Sequence, residues 1–345
     1  MAEEDAKAAK ETLSQFFARV LDQLSVTSWL PAVMLVAITL VLSQLAKADG
    51  SFDAAFDAIG EMGAAAIVFI VFSVVIAAIF AQAFEFEAIR VIEGYWPDRG
   101  LLGRLTRWRR RTKLEELAQL RQELAALSKE ALETARSGLR DKEQLGSGAY
   151  DALEAYVLNL PQLESTSVEE RAKAKSVLPR WKWHAEPTTV NRVEEIERKI
   201  NEFPERRYRV LPTHLGNLVR AVEDRVHDPS EGRLENFAIH VLDEIPRSIN
   251  AAFREQRRRL DLYCGLVFVF TGSILPALAV SLSFPRSRIV AGASLPMALG
   301  LAALVSYRAA LASGRKFGFA LIAIKEHKDE LRHLARANPT PSARP

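Results

Sequence analysis

Four stretches of this chain have no charged side chain in their central parts, and they limit what it can fold into. They run from Trp29 to Leu45, Gly63 to Phe84, Leu262 to Phe284 and Ile289 to Leu311. A helix needs about 20 apolar residues to cross the hydrocarbon core of a bilayer. A core helix of a water-soluble protein shows a polar face at the helical repeat, whereas these stretches are apolar on every side. Period-two alternation is almost absent, so little sheet is expected. The expected fold class is all-α: four transmembrane helices, arranged as two hairpins that flank a cytoplasmic helical domain.

Composition matters because its averages conceal this segregation. Of 345 residues, 49% are hydrophobic and 26% charged, ordinary values for a soluble protein. The net charge of +3 sets up no strong field, and no nucleic-acid partner is expected. Cys264 is the single cysteine, so neither an intrachain disulfide nor a cysteine-based zinc site can form. The first 25 residues are acidic and amphipathic; a basic region followed by an apolar core is missing, so no cleavable signal peptide is expected.

Orientation follows from the basic residues beside the apolar stretches. Arg90, Arg99, Arg104, Arg107, Arg109, Arg110, Arg111 and Lys113 follow the second; Arg254, Arg257, Arg258 and Arg259 precede the third; Arg308, Arg315 and Lys316 follow or close the fourth. All three sets share one side if both hairpin tips lie outside. The outer connections are then the acidic Ala46–Met62 segment and the tight turn Pro285-Arg286-Ser287-Arg288, whose two arginines dissent. The expected organisation is a cytoplasmic amphipathic helix over 1–27, a transmembrane hairpin over 28–85, a cytoplasmic helical domain over 86–258, a second hairpin over 259–312, and a cytoplasmic helix with a disordered tail over 313–345. The expected location is the inner (plasma) membrane of a bacterium, with both termini and the central domain cytoplasmic.

The central region reads as helices. Lys113 to Leu145 carries Leu117, Leu120, Leu124, Leu127 and Ala131 at spacings of three and four. That heptad-like seam suits either a coiled coil or a helix packed inside its own domain. Further helices are expected over Tyr150–Leu160, Ser165–Val177 with the capping box Ser167-Val168-Glu169-Glu170, Val190–Phe203 and Thr213–His227. A loop over Pro179–Pro187 holds Trp181, Trp183 and His184. A turn over 228–232 and a helix from Leu234 into the third span, bent near Pro246, complete the domain. Phe317–Ala335 reads as a helix beyond the fourth span, before the Pro- and Ser-rich tail from Asn338.

Two motifs stand out. Arg104, Arg107, Trp108, Arg109, Arg110 and Arg111 follow Tyr95 and Trp96 close to the second span. Aromatic rings favour the headgroup level and guanidinium groups attract anionic lipid, so this run reads as a lipid-headgroup segment or as a plain topology signal. The second motif is Pro212, Thr213, His214, Leu215, Gly216 and Asn217. Pro212 restrains the backbone, Thr213 can cap a helix with an apolar face of Leu215, Leu218, Val219 and Val222, and Gly216 costs roughly 1 kcal/mol there relative to Ala unless packing requires it. The string from Leu211 to Asp224 resembles a Pro-Thr-Arg-Leu-Gly-Asn motif of poorly characterised bacterial, often actinobacterial, multi-pass membrane proteins, with His214 in place of Arg. The resemblance implies the membrane class and no particular activity.

No phosphate-cradling glycines, nucleophile elbow or zinc helix is present. The six histidines lack ligand spacing; His240 with Asp243 and Glu244, or His214 with Glu223, are the nearest approaches. Glu115-Glu116, Glu169-Glu170 and Glu194-Glu195 fall on polar helix faces. No catalytic, cofactor-binding or metal site is expected, and no cofactor. Ionisable residues, which mark coupled transport, are absent from mid-span. Gly272 with Pro276, and Gly292, Pro296 and Gly300, sit four residues apart, a spacing that permits close helix approach. The function expected is a non-enzymatic membrane scaffold or signalling-type interaction protein; the alternative is an oligomeric passive channel gated by the cytoplasmic domain. The expected partners are the lipid bilayer, anionic lipid within it, a second copy of the chain and an unidentified protein.

Overall fold

In the computed structural model, residues 26–161, 166–226, 245–285 and 288–337 are described. The expectations for the N-terminal helix up to residue 25, the 228–232 turn, the helix from Leu234 as far as residue 244, His227, His240, Arg286 and the tail lie outside them. The described residues form ten α-helices and two short 3-10 turns, with no strand among them. The helices are α1 Val26–Lys47, α2 Phe52–Gly60, α3 Ala64–Glu93, α4 Gly100–Lys142, α5 Ser147–Val157, α6 Val168–Val177, α7 Pro187–Ile200, α8 His214–Val226, α9 Arg247–Leu282 and α10 Ile289–Ala337. The chain divides into two compact units, one comprising 98–212 and the other comprising 1–97 with 213–345.

Four helices of the second-named unit are long and apolar enough to cross a membrane, spanning Trp29–Lys47, Ala64–Glu93, Arg247–Leu282 and Gly292–Leu331. The clearest case is α3. In its most apolar window only 6% of the residues are buried. Ile67, Val68, Phe69, Phe72, Ile79, Phe80 and Phe84 are all more than half exposed. Leaving such side chains in water forgoes roughly 1.5–3 kcal/mol each, which for this set rivals the whole stability of a typical domain, about 5–15 kcal/mol. The stretch from Ala64 to Phe84 is about 30 Å long at the α-helical rise, matching the hydrocarbon thickness. Three hydroxyls within these helices bond their own backbones: Thr39 to Leu35, Ser73 to Phe69 and Ser273 to Val269, at 2.7, 2.8 and 2.8 Å. Polar groups that would be costly in lipid are thereby satisfied locally.

The interior of this unit is layered along the helices. Leu45, Ala55 and Phe284 form one end layer, and Leu42, Phe270, Ala277 and Leu299 form the next. Ile89, Leu215, Leu260, Cys264 and Ala310 follow, and Val222, Val226, Ile245, Phe317, Leu321 and Ile324 close the other end. Ser281 ties α9 to α10 by donating to the Gly292 carbonyl at 2.6 Å. At the first end Arg288 donates to the Asp49 carbonyl at 3.2 Å, in the turn that follows α1. Helix α2 occupies the middle of the acidic connection, capped by Ser51. Its apolar positions Phe52, Ala55, Phe56 and Ile59 follow the helical repeat within a segment whose charged residues, Lys47 apart, are acidic. Helix α10 runs for 49 residues without a break; no Pro separates the fourth span from the helix expected after it, and Ser313-Gly314 between them stays helical.

The unit over 98–212 is built on α4, a 43-residue helix. Its leucine seam turns inward. Leu127, Ala131, Leu132, Ala135 and Leu139 are buried with Tyr150 and Leu153 of α5, Ala174 and Val177 of α6, and Val193 and Ile196 of α7, while Leu120 and Leu124 pack on their edge. The seam is thus covered within its own unit. Tyr150 donates from its hydroxyl to the Leu132 carbonyl at 3.1 Å, and burial, with nearby Glu133, pushes that hydroxyl up to about 12. The capping box at Ser167 and Glu170 forms as the sequence predicts, and its hydrogen bonds from the Ser167 backbone and side chain hold the Glu170 carboxyl below the usual range. The Pro179–Pro187 segment winds into a 3-10 turn over Trp181–His184, with Trp181 buried.

Candidate functional site

The Pro212–Asn217 motif proves to be the seat of a helix. Thr213 donates from Oγ1 to the Glu93 carbonyl at 2.5 Å and accepts from the Gly216 amide at 3.2 Å. The first bond satisfies one of the orphan carbonyls ending α3, and the second one of the orphan amides starting α8. The Leu215 amide donates to the Tyr307 hydroxyl of α10 at 3.4 Å. Leu215, Gly216, Asn217 and Leu218 are all buried, whereas His214 is half-buried. At the far end of α8, Lys325 donates to the Arg225 carbonyl at 2.5 Å, a favourable placement of a cation at a helix C-terminus.

Two glycines of α10 make room for this seat. A Cβ added at Gly314 would lie 3.1 Å from both Leu215 Cδ1 and Leu218 Cδ2, and one at Gly318 would lie 2.6 Å from Val222 Cγ2. The four-residue spacing of Gly314 and Gly318 carried the signal, but they fall beyond the apolar part of the helix, where small-residue spacing is not normally sought. Within the apolar part, Gly292 is similarly filled by Phe284 and Ser281, whereas Gly272 and Gly300 have nothing within 4 Å.

Charges and aromatic rings collect beside the seat. Arg257 and Asp261 of α9 pair at 3.1 Å. The Arg220 and Arg90 guanidinium groups lie 5.1 and 5.5 Å from the Tyr95 ring centroid. An apolar groove of about 690 Å³ lies between α1, α3 and α9, lined by Pro31, Leu35, Phe80, Phe84 and Phe268 among others, with Glu85, Glu87 and Asp261 at one end.

The arginine run divides into two faces. Helix α3 ends at Gly94, where φ is +95°, a left-handed C-cap that only glycine adopts freely. Trp96 then donates from its indole nitrogen to the Val91 carbonyl at 2.6 Å. In the other unit, the first turns of α4 carry the run. Arg110 turns inward and donates to the Tyr208 carbonyl at 2.5 Å, and Arg109 lies half-buried with its guanidinium 5.8 Å from the Trp108 ring centroid. Arg104, Arg107, Trp108 and Arg111 are exposed. Arg107 reaches the Asp98 carbonyl at 3.2 Å and Arg111 pairs with Glu115 at 3.0 Å.

Glu143 at the end of α4 is a further charged centre that sequence reasoning missed. It lies 2.9 Å from Arg180 and 3.2 Å from His184 Nε2. Desolvation raises its carboxyl, but hydrogen bonding from His184 and the Arg180 charge outweigh this and hold it below the usual range. No group of three or more potential metal ligands occurs among the described residues. No protein-family model matches the chain, and no curated protein or solved structure is significantly similar to it.

Proposed function

We propose that this chain is a multi-pass membrane protein that acts, without catalysis, as a scaffold or signalling-type interaction protein, its 98–212 unit presenting the surface that partners read. The observation that carries this reading is the joint between α3 and α8. The chain leaves the apolar unit after Pro97 and re-enters it at Thr213, and Glu93 and Thr213 beside those points are hydrogen-bonded. The 98–212 unit is thus an insertion in the chain between the ends of α3 and α8, and a hydrogen bond joins the residues beside its two connections. The basic residues flanking the apolar stretches support a location in the inner membrane with both termini and the inserted unit in the cytoplasm. Arg288, which dissents from that pattern, donates to the Asp49 carbonyl in the turn after α1. Affinity purification from membranes, comparing the full chain with one in which 98–212 is replaced by a short linker, tests the reading. Partners that depend on the insert are expected; identical recoveries from both chains would overturn it.

A second reading, an oligomeric passive channel, is favoured by one observation. Gly272 and Gly300 lie in open space, so the close-approach faces of α9 and α10 are not used up within the chain. Conductance across a bilayer by the purified chain alone would establish this reading in place of the first.

A further inference from the structure

The first turns of α4 are unusually apolar on the outside for a helix of a compact unit. Leu101, Leu102, Leu105 and Trp108 are 82%, 54%, 41% and 60% exposed. Their spacing places Leu101, Leu105 and Trp108 on one helical face. Beside that face lies a strip formed by Arg104, Arg107 and Arg111, all exposed. Between Asp98 and Glu115 the sequence contains no acidic side chain. An apolar face bordered by guanidinium groups is the pattern of a helix lying in the plane of a membrane surface, with its side chains reaching about 5–10 Å into the headgroup and acyl boundary. Position along the chain agrees. Helix α3, the most apolar of the four, ends at Glu93, and α4 begins at Gly100, so the link reaches about 20 Å at most. The start of α4 therefore cannot leave the neighbourhood of the bilayer that α3 enters.

We infer that the N-terminal turns of α4 lie in the membrane interface, with Leu101, Leu105 and Trp108 in the acyl boundary and Arg104, Arg107 and Arg111 on the phosphates of anionic lipid. The inference rests on the membrane-spanning reading of α3. A continuous helix then carries lipid contact at Arg104 to the buried core at Leu127 and Leu132, so anionic lipid orients the 98–212 unit.

The test is site-directed spin labelling of the full chain, in a Cys264→Ala background, reconstituted into phosphatidylcholine vesicles with and without phosphatidylglycerol. Labels at Leu105→Cys, Phe72→Cys and Glu123→Cys are compared for collision with dissolved oxygen and with a water-soluble nickel chelate. In anionic vesicles the label at 105 is expected to favour oxygen, as the label at 72 does, while the label at 123 favours nickel. Combining Arg104→Gln, Arg107→Gln and Arg111→Gln is expected to raise nickel access at 105 several-fold without changing position 72. A label at 105 as nickel-accessible as that at 123, or one shielded from both reagents by a protein partner, would overturn the inference while leaving the spans intact. Nickel access at 72 would instead overturn the membrane-spanning reading itself.

Discussion

The Thr213 hydroxyl donates to the Glu93 carbonyl across 120 residues of sequence, and the same oxygen accepts the Gly216 amide. One side chain therefore ends α3 and begins α8. Neither function needs the rest of the motif; each needs a short hydroxyl side chain at this position.

Replacing Thr213 by Ala removes both bonds and leaves a part-buried carbonyl and an amide without this partner. The expected loss is about 1–2 kcal/mol, in the range of a lost helix cap or hydrogen bond. Thr213→Ser keeps the oxygen and should unfold close to the native protein. Thermal unfolding of the detergent-solubilised chain, followed by circular dichroism, distinguishes the two.

Gly318 presses on Val222: a Cβ added there would lie only 2.6 Å from Cγ2. Gly318→Ala should destabilise by about 1–3 kcal/mol through overpacking, although alanine favours the helix by roughly 1 kcal/mol. Adding Val222→Ala should recover part of that loss in a double-mutant cycle. Gly272→Ala, with nothing within 4 Å, should unfold at or slightly above the native temperature.

The Glu143 carboxyl is held below its usual range by His184 and Arg180, against the opposing effect of desolvation. A carboxyl with a depressed pKa in the folded state binds protons more readily when unfolded. Its contribution is therefore present above the ordinary carboxylate pKa and is lost as pH falls through the folded value. Glu143→Gln should remove this part of the acid dependence of stability while leaving the neutral-to-alkaline limb unchanged. Unfolding temperatures of both proteins, measured from neutral pH down into the acid range, check it.

Cys264 is fully buried between Ile89, Leu215, Leu260 and Ala310. A water-soluble maleimide should leave the folded chain unlabelled and react stoichiometrically once the chain is denatured. The Thr213→Ala chain, whose α8 seat is loosened, should label faster than the native one. Mass spectrometry of the quenched reaction gives both rates.

The apolar helices were legible because their evidence is local. A run such as Ala64–Phe84 is apolar on every side whatever it touches. The capping box at Ser167 and Glu170 is likewise spelled within a single turn. The arginine run was visible as composition, but its division into an inward Arg110 and an outward Arg104, Arg107 and Arg111 depends on where Tyr208 lies. The Pro212–Asn217 string stood out as a pattern while its role did not. The partners of α8, Glu93, Tyr307, Gly314, Gly318 and Lys325, come from α3 and α10, distant in the chain. The sequence by itself determined which segments are helical and which are too apolar for water, because propensity and hydrophobic periodicity act over a few residues. Tertiary structure alone decided which glycine admits which leucine and which carbonyl meets which hydroxyl, because those pairings exist only where two packed surfaces meet.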